Sequence, residues 1–240
     1  MAPPPSPFHP ALLVIDLQND FCPPSGSLAV PSGRTITPLI NLLLTHPFIL
    51  KIATRDFHPP NHISFASQHP PPNNQPFIST TTIVNPSNPD ETQESTLWPD
   101  HCVQGTHGAE LIDELEKERL DAVVLKGRDE RVEAYSGFGP PFRRPRVREL
   151  EGDERGLAER LRERRITDVF VTGLATDYCV KWTAMDAVEE GFRTYIVREG
   201  VKGVDEEGAE RALKEMEGKG VRVVGNGGEE VGWVKSLDET

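Results

Sequence analysis

The chain has 240 residues, 36% of them hydrophobic, and a formal net charge of -12. So acidic a balance argues against a general affinity for nucleic acid or anionic membranes, and no run of about 18 or more apolar residues exists to span a bilayer. Three cysteines at irregular spacing, Cys22, Cys102 and Cys179, make no disulfide framework and fit a reducing compartment.

The opening "MAPPPSPFHP" has no basic segment followed by an apolar one, so it does not read as a secretory signal. The ending "SLDET" is not a peroxisomal address. A cytoplasmic protein is expected, with nucleus and peroxisome left open. Nothing in the sequence encodes an oligomeric state, and a homo-oligomer stays open.

Along the chain, six short apolar runs alternate with helical patterns. The predicted strands are 11–16, 48–54, 122–126, 168–173, 194–199 and 221–225, and the predicted helices 33–45, 108–119, 154–165, 177–190 and 205–217. Asp177 and Asp205 stand where helices begin, at the positive end of the helix dipole. Nearly continuous apolar strands suit a parallel sheet covered on both faces, because neither side meets water. The alternation predicts one α/β layered domain over residues 1–240. Two segments interrupt it. Residues 69–96, rich in Pro, Asn, Ser and Thr, read as a long excursion. Residues 139–153 read as a solvated loop carrying Arg143, Arg144, Arg146 and Arg148.

In open parallel sheets ligands bind beyond the carboxyl ends of the strands. Asp16 closes the first strand, "TRDFHPPNH" after the second supplies Asp56, His58 and His62, Lys126 closes the third, and the fourth runs through a turn to Cys179. Taken singly, Asp16 is as readily a capping residue, Lys126 a surface lysine, and Cys179 a small core residue. Together they make an activated nucleophile: a thiol near a helix N-terminus, an ammonium to hold a thiolate, and a carboxylate to take the proton.

Asp56 and His58 are two apart, so on extended chain their side chains share a direction. His101, in "LWPDHCVQG", is the best third ligand and His62 takes second place, as an outer partner or a capping residue. Two imidazoles and one carboxylate suit zinc or iron, with open positions for water and substrate. A lone Asp-x-His is also a common turn. His9, His46, His69 and His107 read as surface residues.

The segments "VIDLQNDF", "TRDFHPPNHISF", "LWPDHCVQGTHGAEL", "VLKG", "AYSGF" and "VTGLATDYCVKWTAMDA" resemble, in order and over residues 11 to about 225, the signature segments of the nicotinamidases, members of the isochorismatase-like cysteine hydrolases. The two inserts resemble those of the fungal type. The resemblance implies a three-layer α/β/α fold with a six-stranded parallel sheet, a Cys179–Asp16–Lys126 triad, and one divalent metal ion on Asp56, His58 and His101. Zinc is expected, with iron and manganese open. It further implies a cis peptide before Thr176, an oxyanion hole from the N–H groups of Ala175 and Cys179, and a substrate pocket with Phe21, Trp98 and Tyr135. The implied substrate is nicotinamide, with pyrazinamide allied to it, hydrolysed in the service of NAD salvage. Another isochorismatase-like amidase, or a catalytically silent protein that binds a heteroaromatic ligand, is the alternative. The place of 69–96 between the metal segments points to a lid.

Overall fold

The computed structural model describes residues 2–143 and 156–239. In chain order they form β1 (Pro10–Ile15), α1 (Thr37–Leu44), β2 (Leu50–Asp56), β3 (Thr80–Asn85), β4 (Asn88–Thr96) and β5 (Ala122–Lys126). There follow α2 (Leu157–Glu163), β6 (Asp168–Leu174), α3 (Lys181–Glu189), β7 (Arg193–Lys202), α4 (Glu206–Gly218), β8 (Arg222–Val224) and α5 (Glu229–Lys235).

The six predicted strands form one sheet in the order β5-β2-β1-β6-β7-β8, with every pairing parallel. Every residue of β1 and β6 is buried, as their unbroken apolar sequences require. Side chains alternate between the sheet's two faces. Leu12, Val14 and Phe170 point to the layer that holds α1 and α5, where Ile40, Leu43, Val231 and Val234 pack. Leu13, Ile15, Val169 and Val171 point to the layer of α2, α3 and α4, against Leu161, Ala184 and Met216. Truncating one such fully buried leucine to alanine costs about 2–5 kcal/mol.

From β1 the sheet grows outward one way through β2 and the other way through β6. That reversal leaves a crevice beyond the carboxyl ends of β1 and β6, the favoured place for a ligand in such sheets. Gly173 lets these two ends come together. It has φ 111°, and a Cβ there would lie 2.1 Å from the Ile15 carbonyl oxygen, so no other residue fits the position.

Four features differ from expectation. Residues 108–119 are not a helix; they carry short 3-10 turns at His107–Ala109 and Lys117–Arg119. The chain between spends its hydrogen bonds on the loop after β1, with Asn19 N donating to Glu110 O and Ile112 N to Leu17 O, both at 3.0 Å. Leu111, Ile112 and Leu115 are buried in the core instead of lining one helix face. Residues 69–96 contain the antiparallel hairpin β3–β4, whose Thr-rich strands expose most of one side. Asp205 caps α4 through Gly208 N at 2.7 Å, whereas Asp177 accepts from Val204 N at 3.0 Å and so ties two loops together. Arg143 is exposed yet not free, since it pairs with Asp186 of α3 at 2.8 Å. Arg144, Arg146 and Arg148, with the rest of 144–153, lie outside the described residues.

Candidate active site

Each functional side chain is placed by the end of a strand. Asp16 directly follows β1 with a left-handed φ of 46°, which swings its carboxylate over the sheet edge. Thr54 of β2 fixes it: the hydroxyl donates to Asp16 Oδ1 at 2.7 Å and accepts from Asp16 N at 3.2 Å. Lys126 pairs in register with Asp56 across β5 and β2, so both emerge side by side. β6 continues through Ala175 into a π-type turn, Thr176–Val180, that delivers Cys179 before α3 begins. Tyr178 N and Val180 N both donate to Ala175 O, at 3.0 and 3.1 Å. The cis peptide joins Leu174 to Ala175, one bond earlier than expected.

Lys126 is 2% exposed, not a surface lysine. Its ammonium has three N–H donors. These go to Asp56 Oδ1 at 2.5 Å, Ala134 O at 3.1 Å and Cys179 Sγ at 3.3 Å. Asp16 Oδ2 lies 2.9 Å from the same nitrogen as an ion pair, and the Asp16 carboxylate also stands within hydrogen-bonding reach of the Cys179 thiol.

Burial pushes the Asp16 carboxyl up to about 6; the Lys126 ammonium opposes this and the Asp56 charge adds to it. Burial also lifts the Cys179 thiol well above its usual range. Burial weighs most against a thiolate here, Lys126 opposes that effect, and Asp16 and Asp56 add to it. A carboxylate oxygen of Asp16 lies within 4.8 Å of the Cys179 sulfur, where it can receive the thiol proton.

The metal-type residues stand next to this cluster. One donor atom each from Asp56, His58 and His101 falls within 4.8 Å of the other two. His58 Nδ1 meets Gly127 O at 2.7 Å and His101 Nδ1 meets Pro99 O at 2.8 Å. A carbonyl can only accept, so both rings carry the proton on Nδ1 and turn an Nε2 lone pair toward Asp56. His58 Nε2 is buried with no hydrogen-bond partner among the described residues, 3.7 Å from Asp56 Oδ2. An orphaned imidazole lone pair beside a carboxylate and a second imidazole fits a divalent cation. Gly127 makes the approach possible: its φ is 65°, and a Cβ would fall 2.3 Å from the His58 ring.

Burial disfavours a charged Asp56, yet the Lys126 ammonium outweighs it and holds the carboxyl well below its usual range. Burial drives the His101 imidazole down to about 4, which keeps it neutral as a ligand must be. His62 stacks on His58 at 4.1 Å, but its Nδ1 bonds Ser64 Oγ at 2.7 Å and its Nε2 bonds Val132 O at 3.0 Å. It supports the cluster from outside.

Phe21, Trp98, Tyr135, Ala175 and Cys179 line one pocket together with Asp56 and His101. Trp98 is edge-on to Tyr178 at 4.9 Å, and its Nε1 donates to the Tyr135 hydroxyl at 2.9 Å. Tyr135 therefore belongs to the pocket wall, not only to core packing.

Sequence reasoning passed over several contributors. Thr54 shares a strand face with Asp56 and Gln18 sits in the same segment as Asp16, so spacing could have found both. Gln18 holds the Asp56 backbone from both sides, at 2.8 Å each, and also bonds Ala109 O. Tyr178 adjoins Cys179. Glu133, buried in a loop after β5, left no signal.

A parallel sheet that gathers a thiol, carboxylates, an ammonium and imidazoles at its carboxyl edge has the layout of an α/β cysteine hydrolase. The isochorismatase domain matches residues 10–226, and the chain belongs to that family. A nicotinamidase of Schizosaccharomyces pombe is 38% identical over 219 residues, 90% of this chain and 93% of that protein. The yeast nicotinamidase bound to the inhibitor nicotinaldehyde has a TM-score of 0.79 at 31% identity, covering 90% of this chain and 99% of that one. The Pyrococcus horikoshii pyrazinamidase in complex with zinc has a TM-score of 0.66 at 37% identity, with coverage of 90% and 99%. Among the described residues no helix is long and apolar enough to cross a membrane.

Proposed function

We propose that the protein hydrolyses nicotinamide to nicotinate and ammonia through a thioester on Cys179, and that pyrazinamide, which keeps the carboxamide and a ring nitrogen, is an allied substrate. The observation that carries this reading is one aromatic-lined pocket that Cys179 shares with the metal-type donors Asp56 and His101. The names of the relatives support it.

In this reading Asp56, His58 and His101 hold one divalent ion. Zinc is favoured by the two-imidazole, one-carboxylate donor set and by the zinc complex of the Pyrococcus protein. Such an ion, when bound, supplies a Lewis acid for the ring nitrogen and so fixes the orientation of the amide.

The chain's own residues do the remaining work. Phe21, Trp98 and Tyr135 sandwich and border the ring, which places the carboxamide carbon over Cys179; positioning of this kind supplies much of a rate. Asp16 takes the thiol proton as the sulfur bonds to that carbon. Lys126 balances the charge that moves between sulfur and carboxylate. The N–H groups of Ala175 and Cys179 receive the oxyanion. Asp16 returns the proton to the leaving nitrogen, ammonia departs, and a thioester remains. Water adds to the thioester, the C–S bond breaks, and nicotinate leaves with the thiol restored. The product suits a nicotinate-consuming step of NAD salvage in the cytoplasm, where three unpaired thiols persist.

The test is to follow ammonia and nicotinate from nicotinamide with purified, metal-replete protein. Equimolar release is expected. No release of either would overturn the assignment.

A further inference from the structure

The two metal-type imidazoles are joined through the backbone of one residue. Cys102 directly follows His101 in the chain, and its carbonyl accepts from His58 N at 3.0 Å. It is fully buried and has a left-handed φ of 46°, a conformation that a residue with a side chain keeps only where its surroundings hold it. What holds it is a carboxylate. Asp20, in the 3-10 turn Asn19–Phe21 after β1, accepts from Cys102 N through Oδ2 at 2.7 Å. A charged acceptor on a buried N–H makes one of the stronger hydrogen bonds a backbone can form.

The carboxylate is itself closely fitted. Gly108 packs on it, and a Cβ there would fall 2.0 Å from Asp20 Oδ2. The same turn also builds the substrate pocket. Asp20 O accepts from Leu28 N and Phe21 O from Val30 N, both at 3.0 Å. Phe21, Leu28, Val30 and His101 all line the pocket at Cys179, and the Phe21 and His101 rings meet at 5.5 Å. Two successive residues thus grip the His101 loop, Asp20 by its backbone and Phe21 by its ring.

We propose that Asp20 is a positioning residue for the cation site. Through Cys102 its carboxylate fixes where the His101 and His58 nitrogens stand relative to each other, and through its own turn it keeps the aromatic wall in step with them. The inference rests on the metal reading above. The hydrogen bond to Asp20 matters here, not its charge, because the group it serves is a neutral peptide N–H.

The experiment measures zinc affinity by competition with a chromogenic chelator, beside the melting temperature of the metal-stripped chain, which shows that each variant folds. Asp20→Ala removes the acceptor, whereas Asp20→Asn keeps a carbonyl oxygen for Cys102 N and drops the charge. Gly108→Ala displaces the carboxylate without altering it, and stands in if the alanine variant at Asp20 fails to fold. Asp100→Ala is the control: that exposed carboxylate flanks His101 on the other side and accepts from Ser67 Oγ at 2.6 Å. Loss of a group that orients metal ligands weakens binding about 10–100-fold, so Asp20→Ala and Gly108→Ala should bind zinc about tenfold or more weakly. Asp20→Asn and Asp100→Ala should stay close to wild type. Wild-type affinity in folded Asp20→Ala, or an Asp20→Asn variant as weak as the alanine one, would overturn the positioning role and leave the metal reading standing. A wild-type chain that takes up no zinc would instead overturn the metal reading, and this inference with it.

Discussion

Lys126 Nζ and Asp56 Oδ1 stand 2.5 Å apart, paired in register on neighbouring strands. This contact joins the two halves of the site, since Lys126 also touches the Cys179 sulfur and Asp56 is one of the metal-type donors. The nucleophile and the cation site are therefore not independent modules. They share one buried ion-pair network in which a single ammonium compensates two carboxylates.

Lys126→Met tests that sharing. Removing the ammonium leaves Asp16 and Asp56 buried and uncompensated, and breaking a buried pair costs about 3–5 kcal/mol. Denaturant titration should show a loss of that order, and turnover should disappear. A variant as stable as wild type would contradict the compensation described for the network.

Cys179→Ser separates chemistry from architecture. The side chain is nearly isosteric, so the melting temperature should stay within a few degrees of wild type. Ammonia release should fall to background, because the serine hydroxyl is far less acidic than the thiol. Retained turnover would remove Cys179 from the nucleophile's role.

The pH profile follows from Asp16. Its carboxyl, pushed up to about 6 by burial, must be unprotonated to receive the thiol proton. The folded value lies above the ordinary one, so activity is lost as pH falls through it. The kcat/KM profile should carry an acid limb near pH 6 and drop about tenfold per unit below it. A flat profile down to pH 5 would exclude Asp16 as the base.

His101→Ala should weaken the cation site without touching the nucleophile. His58 Nε2 and Asp56 remain, but two donors hold a divalent ion far less firmly than three. Metal analysis after dialysis should show a substoichiometric ion in the variant and one ion per chain in wild type. Zinc added back to chelator-stripped wild type should raise its melting temperature, since ligand bound only by the folded state stabilises by about 4 kcal/mol at a thousandfold excess over Kd. Equal metal content in both proteins would remove His101 from the set.

Much of this was legible because strand ends advertise themselves. Continuous apolar runs marked all six strands, and Asp16, Lys126 and Asp56 each stand where such a run stops. What stayed hidden depended on contacts remote in sequence. Residues 108–119 carry a helical pattern, yet Leu17 and Asn19 claim their backbone groups. The β3–β4 hairpin has little apolar signal, since its strands are held by pairing and β-branched threonines. A helix start and a nearby lysine favour a thiolate in isolation, but the burial and the two carboxylates around that lysine reverse the balance. Glu133 reaches the site only through a loop fold that no spacing rule foresees.

If a thiol and a metal act on one nicotinamide molecule, turnover must depend on the ion. The most direct measurement is ammonia release from nicotinamide before chelation, after chelation, and after restoring zinc. Turnover that vanishes on chelation and returns with the ion is expected. Undiminished turnover in protein shown to be free of metal would contradict the account.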